Sequence, residues 1–152
     1  MRYLLAAQIF GVGLLIAFHF SMNSAVGSVV QNPRMGNAVF WVIGTLVAVL
    51  IGLTGWDSSV WMRLREVPVW LWGAGAIGAT MVFVIVATIP KLGAASTNIA
   101  LLTGQVIGGM IIGHYGLLGS PVECCNGTRV AGAIISLLGA ALVVLGRVPL
   151  LR

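Results

Sequence analysis

Charge is what this chain has least of. Only 7% of its 152 residues are charged, and three of them are acidic: Asp57, Glu66 and Glu123. With 59% hydrophobic residues, a soluble domain of this composition would carry an apolar exterior, so an ordinary water-soluble fold is excluded. The mean hydropathy of +1.08 points the same way. Cysteine is almost missing. Cys124 and Cys125 are adjacent and lack nearby histidines, which excludes a zinc site and a disulfide framework and leaves two free thiols. There is no phosphate-binding loop, nucleophile triad, Rossmann glycine pattern or cluster of metal ligands, so no catalysis on a substrate, no cofactor and no metal are expected. Domain linkers, low-complexity tracts and long polar tails are missing too, and residues 1–152 read as a single transmembrane domain.

Long apolar runs fill the space. Crossing a hydrocarbon core of roughly 30 Å takes about 20 apolar residues. Runs that approach this length extend over 3–23, 35–54 (its apolar core starting at Ala38), 67–89, 95–118 and 130–148. Pro68 lies in the first turn of the third run and Pro90 just past its end. In lipid each backbone group must be paired within its own segment, and the alternating pattern of a membrane barrel is missing, so the expected fold is all-α with five transmembrane helices. The first run exceeds the roughly 7–15 residues of a signal-peptide core and is read as a retained helix. An odd number of spans puts the two termini on opposite sides.

The basic residues divide evenly between those sides. One collects Arg2, Arg63, Arg65 and Arg129, and the other Arg34, Lys91, Arg147 and Arg152, a split of four against four. Orientation follows the Lys/Arg bias of short loops, so a null bias predicts insertion in both orientations and head-to-foot pairing as an antiparallel homodimer. A net charge of +5 and a pI near 10.3 would suggest nucleic acid in a soluble protein, but here the charges stand singly in loops and meet membrane lipids instead. Trp56, Trp61, Trp70 and Trp72, close to Arg63 and Arg65, read as an aromatic belt at headgroup depth.

Polar residues within apolar runs cost free energy and mark candidate sites. At 100° per residue, Gln8 and His19 lie within about 20° of each other on the first helix, and Asn23 about 60° from Gln8. On the fourth helix Asn98 and Gln105 lie within about 20°, whereas His114 stands about 180° from Gln105, near the helix end. These five residues (Gln8, His19, Asn23, Asn98 and Gln105) are the candidate substrate-binding set, lining a cavity between the first and fourth helices. Gln105 near mid-span leads it, followed by His19, whose imidazole can change charge near physiological pH. Cross-helix hydrogen bonding, worth about 0.6 kcal/mol in membrane proteins, is the plainer role open to each. All three acidic residues fall in loops or at span edges, which argues against proton-coupled export of cations at a buried carboxylate.

Glycine supplies 21 of the 152 residues. Gly132, Gly139 and Gly146 recur every seven positions on the fifth helix with Ser136 between them, a smooth seam suited to helix packing in a dimer interface. Gly75, Gly78 and Ala79 form a small face on the third helix, and Gly104/Gly108 and Gly109/Gly113 form two GxxxG patterns on the fourth.

The segments GAGAIGATMVFVIVATIPKLGAA, TGQVIGGMIIGHYGLLG and TRVAGAIISLLGAAL resemble the YdcZ-like family of the drug/metabolite transporter superfamily, and HFSMNSAVG with NPRMGNAVFWVIGTL extends the likeness over essentially the whole chain. The most specific stretches are Pro90 to Ala95, Gly104 with Gln105, His114 to Gly119, and Arg129 with Gly132. The resemblance implies five-helix subunits that pair as inverted halves of a ten-helix transporter in the bacterial cytoplasmic (inner) membrane. It implies that Asn23, Gln105 and Arg129 are motif polar positions and that Gly93 shapes the turn between the third and fourth helices. His19 stands where the family more often has Gln. The expected function is transport or export of a small organic or lipid-like solute by alternating access at an antiparallel dimer interface. The alternatives are a non-transporting scaffold or regulatory subunit and an obligate half of a heterodimer. A passive pore fits less well, because pores show rings of charged or hydroxyl side chains.

Overall fold

The computed structural model describes residues 1–146, the side chain of Arg2 excepted. Arg147 and Arg152, counted in the charge balance, and Val148, where the fifth run was closed, lie outside the described residues. The chain is all-helical: α1 (Arg2–Val29), α2 (Pro33–Thr54), the short α3 (Val60–Arg65), α4 (Gly73–Leu92, entered through a 3₁₀ turn at Val69–Trp72), α5 (Ala94–Tyr115) and α6 (Gly127–Leu145). Among the described residues five segments are long and apolar enough to cross a membrane: Tyr3–Val29, Pro33–Thr54, Val69–Leu92, Ala94–Tyr115 and Gly127–Leu145. Most of their outward side chains are apolar, with Phe10 and Phe18 each 70% exposed, as a surface solvated by acyl chains requires.

Several boundaries differ from the sequence expectation, each for a local reason. The small residues after Asn23 do not end α1. Ser28 Oγ donates to Ser24 O at 3.1 Å, and the helix continues six residues further, to Val29. The stretch left between the first two runs, residues 24–34, is therefore mostly helix. Here α1 and α2 approach backbone to backbone: a Cβ on Gly36 would lie 2.8 Å from the Gly27 Cα. The tight turn between them uses Gln31 at φ 53°, and Asn32 caps α2 by accepting from the amides of Arg34 and Met35 at 3.1 and 3.2 Å. Pro33 at the first helical position has no N–H to leave unpaired. α6 likewise begins before Val130, because Asn126 Oδ1 accepts from the Arg129 amide at 2.9 Å. α5 stops at Tyr115 rather than Leu118 because Gly116 takes the left-handed conformation, φ 61°.

Pro90 sits inside α4 instead of beyond it. A proline lacks the N–H that would bond the carbonyl four residues back, here that of Val86. Ser24 Oγ, from α1, donates to that carbonyl at 3.0 Å. The vacancy is filled from the neighbouring helix, which is why the proline does not end the span. Gly93, φ 85°, is the single residue between α4 and α5.

The helices form two compact units, Met1–Lys91 and Leu92–Arg152. In the first, α1 packs on α2, while Ser24 and Asn37 bond backbone carbonyls of α4. Its buried apolar side chains are Phe20, Val82, Ile85 and Val86. In the second, α5 packs on α6. The connection between them folds back onto α5: the Glu123 amide donates to Gly113 O at 2.8 Å, and the Cys125 amide to His114 Nδ1 at 3.2 Å.

Candidate functional site

Polar side chains in lipid must find partners, and most here do so within their own helix. Thr97 and Thr103, both buried, donate to Gly93 O and Ile99 O at 2.8 and 2.9 Å, and Asn98 Nδ2 donates to Ala94 O at 2.8 Å. Asn98 thus spends one amide donor on its own helix. Asn23 does not follow this pattern. It is 3% exposed, and neither its Nδ2 nor its Oδ1 has a hydrogen-bond partner. Two side chains on α2 share the condition: Asn37 Oδ1 and Trp41 Nε1 are also buried and unmatched, with Asn37 Nδ2 reaching Ala79 O only at 3.5 Å.

Asn23 also borders a cavity of about 430 Å³ in the first unit, whose wall includes Phe18, His19, Val39, Phe40 and Ile43. Its size falls in the roughly 300–1,000 Å³ range of small-molecule pockets. The His19 ring lies 4.7 Å from that of Phe40 at a 58° tilt, and Phe40 meets Trp41 edge-on at 5.7 Å. The wall carries no Asp, Glu, Lys or Arg among the described residues. His19 and Asn23, predicted from one face of the first helix, therefore share a cavity, with α2 as its other wall. Gln8 is exposed and stands about 22 Å along the axis from Asn23, too far for one small solute to touch both.

In the second unit Gln105 is exposed and lines a groove of about 440 Å³ between α5 and α6, together with Gly109, Gly113, Gly132, Glu123 and Arg129. Arg129 Nη2 pairs with Glu123 Oε2 at 2.8 Å, and its Nη1 donates to Glu123 O at 3.3 Å. The arginine at this groove is thus neutralised locally. A second, apolar cavity of about 370 Å³ is lined by Met110, His114, Tyr115, Cys125, Val130 and Ile134 among others. His114, placed by its phase away from Gln105, serves there to hold the Cys125 backbone. At two positions of the glycine seam, Gly132 and Gly139, an added Cβ would meet no atom within 4 Å among the described residues, and Ser136 beside them is half-buried. Gly146 caps α6, and a Cβ there would lie 2.7 Å from Leu142 O.

Ser24, Asn37 and Trp41 were not singled out from sequence. A signal for Ser24 existed in Pro90, which requires a donor for Val86 O. Asn37 and Trp41, four apart on α2, share a face, but which neighbour that face meets is decided by packing.

With this geometry, comparisons with known proteins become specific. The family described as "Putative inner membrane exporter, YdcZ" matches residues 4–142, nearly the whole chain. The chain belongs to the YdcZ family. The inner membrane protein YdcZ of Escherichia coli (strain K12) is 28% identical, over 82% of this chain and 91% of the relative. No solved structure matches. Together with five membrane-crossing helices, this membership makes the chain a multi-pass protein of the bacterial inner membrane, and the family's description as an exporter supports a membrane transporter in general. The sequence resemblance to YdcZ is thereby borne out.

Proposed function

We propose that this YdcZ-family chain is a dual-topology secondary transporter that exports a small organic or amphipathic solute, two copies pairing antiparallel to complete a ten-helix bundle. The carrying observation is an odd number of spans combined with an even division of cations. Five helices put the ends of the chain on opposite sides, and the Lys and Arg residues split four against four between those sides. Such a chain has no electrostatic preference for one orientation. Inverted copies then supply the symmetry that alternating access uses in transporters built from internal repeats. Gly132 and Gly139, where an added Cβ would meet no atom within 4 Å, give α6 a face on which a second backbone can lie.

The candidate solute contacts are Asn23 with His19 in one unit and Gln105 in the other, with Asn98 and Gln8 as secondary positions. Alternating access would expose them in turn to the two sides of the membrane. A reporter fused to the C-terminus should appear on both sides of the membrane, and a single added lysine in a loop should bias it to one. In proteoliposomes, Gln105→Ala should abolish solute flux while cross-linked dimer remains. A reporter confined to one side would replace the homodimer with a fixed-orientation or heterodimeric assembly.

A further inference from the structure

From the groove between α5 and α6 we infer that Arg129 is the head-group site for an anionic amphiphile, and that Glu123 occupies it as an internal stand-in until the solute arrives. The groove, of about 440 Å³, has two unlike ends. Arg129, in the first turn of α6, and Glu123, just before that helix, close the end at the membrane edge. Gln105 stands at the middle of α5, eight residues or about 12 Å along the axis from Gly113, whose backbone lies against Glu123. Between these ends the wall is apolar at Val106, Met110 and Ala133, and Gly109 leaves room there: an added Cβ would meet no atom within 4 Å among the described residues. A charged end at headgroup depth and an apolar run towards mid-membrane match a molecule with a charged head and an apolar body.

The sign of that head follows from how the two charges are held. Arg129 is rooted in a helix whose first turn is capped by Asn126, and its guanidinium makes two contacts, Nη2 to the Glu123 carboxylate at 2.8 Å and Nη1 to Glu123 O at 3.3 Å. The Glu123 carboxylate has the ion pair as its one polar contact among the described residues. It projects from a non-helical segment whose backbone is kept in place separately, by the Glu123 amide on Gly113 O at 2.8 Å. Releasing the carboxylate therefore disturbs neither helix. The two side chains are 42% and 58% exposed, and an ion pair this open holds its partners weakly. An incoming carboxylate or phosphate takes over the guanidinium donors, and Glu123 turns to water. A cation at Glu123 would instead have to dislodge Arg129 and then remain beside it, like charge against like charge. This names a substrate class for the groove that holds Gln105 and rests on the transport reading only for its physiological sense.

The test is equilibrium binding at neutral pH to the full-length protein in nonionic detergent micelles, with empty micelles as the blank and four water-soluble probes: hexanoate, hexylammonium, 1-hexanol and acetate. Hexanoate should bind saturably and at least tenfold more tightly than the other three. Arg129→Gln should weaken hexanoate binding at least tenfold, whereas Glu123→Gln should strengthen it by up to about fivefold, the competition an exposed ion pair can offer. The second variant carries the test even if the first does not fold, because an ion pair that only braces the structure would make both bind worse. Hexylammonium or hexanol binding as tightly as hexanoate would overturn the inference, as would no saturable hexanoate binding, or hexanoate binding unchanged or weakened by Glu123→Gln. So would displacement of hexanoate by phosphatidylglycerol but not by phosphatidylcholine added to the micelles, the result expected if the membrane's own lipid fills the groove. Hexanoate binding without flux of any solute would count against the transport reading alone; flux of another solute without hexanoate binding would count against this inference alone.

Discussion

Pro90 and Ser24 compensate one another across two helices. The proline removes the N–H that would have bonded Val86 O, and the serine hydroxyl supplies a replacement at 3.0 Å. Ser24→Ala leaves a buried carbonyl unpaired and should destabilise the protein by about 1–3 kcal/mol. Restoring an N–H with Pro90→Ala should recover most of that loss, so a double-mutant cycle on thermal unfolding should show strong coupling. A second residue prediction concerns Asp57, at the membrane surface. Its carboxylate accepts from the Ser59 hydroxyl and amide and pairs with Arg63 at 2.8 Å, and these contacts, the Ser59 hydroxyl foremost, hold its pKa below the ordinary 3.8. The folded value is depressed, so the local order it supports is present above the ordinary value and is lost as pH falls through the depressed one. Protection of the Ser59 amide, its exchange rate relative to that of a free amide at the same pH, should hold down to about pH 4 and fall in stronger acid. Asp57→Asn should lower this protection at neutral pH.

Helix pairs are set by small residues whose roles differ by context. Gly36 meets Gly27 backbone to backbone, at 2.8 Å from a would-be Cβ to Cα and 2.9 Å to N, and neither atom belongs to a flexible side chain that could yield. Gly36→Ala should therefore force α1 and α2 apart at a cost of about 1–3 kcal/mol, read as a lowered melting temperature. Gly132→Ala and Gly139→Ala add a Cβ that meets no atom within 4 Å among the described residues. They should leave the fold intact and weaken cross-linking between copies, the opposite pattern. Caps belong to the same scale: Asn32 holds two amides at the start of α2, and Asn32→Ala should cost about 1 kcal/mol. Every membrane-crossing helix among the described residues was legible in the sequence, because an apolar run of spanning length has one stable form in lipid. The end of α1 was not: it lies six residues beyond Asn23, because small residues mark a terminus and a close contact equally well.

For the whole molecule, the charges offer a sharp test of how orientation is set. Asp57, Glu66 and Glu123 all fall on the side that carries Arg63, Arg65 and Arg129, and two of these arginines are ion-paired at 2.8 Å. By net charge that side is weaker, but loop bias counts Lys and Arg with little weight for acids. Glu123→Gln should therefore leave the division of a C-terminal reporter between the two sides unchanged, while Arg65→Ala should shift it.

Composition and run length alone determined that the chain is a helical membrane protein with five spans, because the bilayer permits almost nothing else for such runs. The family motifs were equally readable, as were His19 and Asn23 as neighbours, since one turn of helix separates them. Tertiary structure decided the rest: that Asn23 is unmatched while Asn98 bonds its own helix, that α2 forms the second wall of the cavity, that Pro90 borrows a hydroxyl, and that Gly27 and Gly36 touch. Helix rotation and the choice of neighbour depend on packing between segments, and no periodicity within a single segment encodes them.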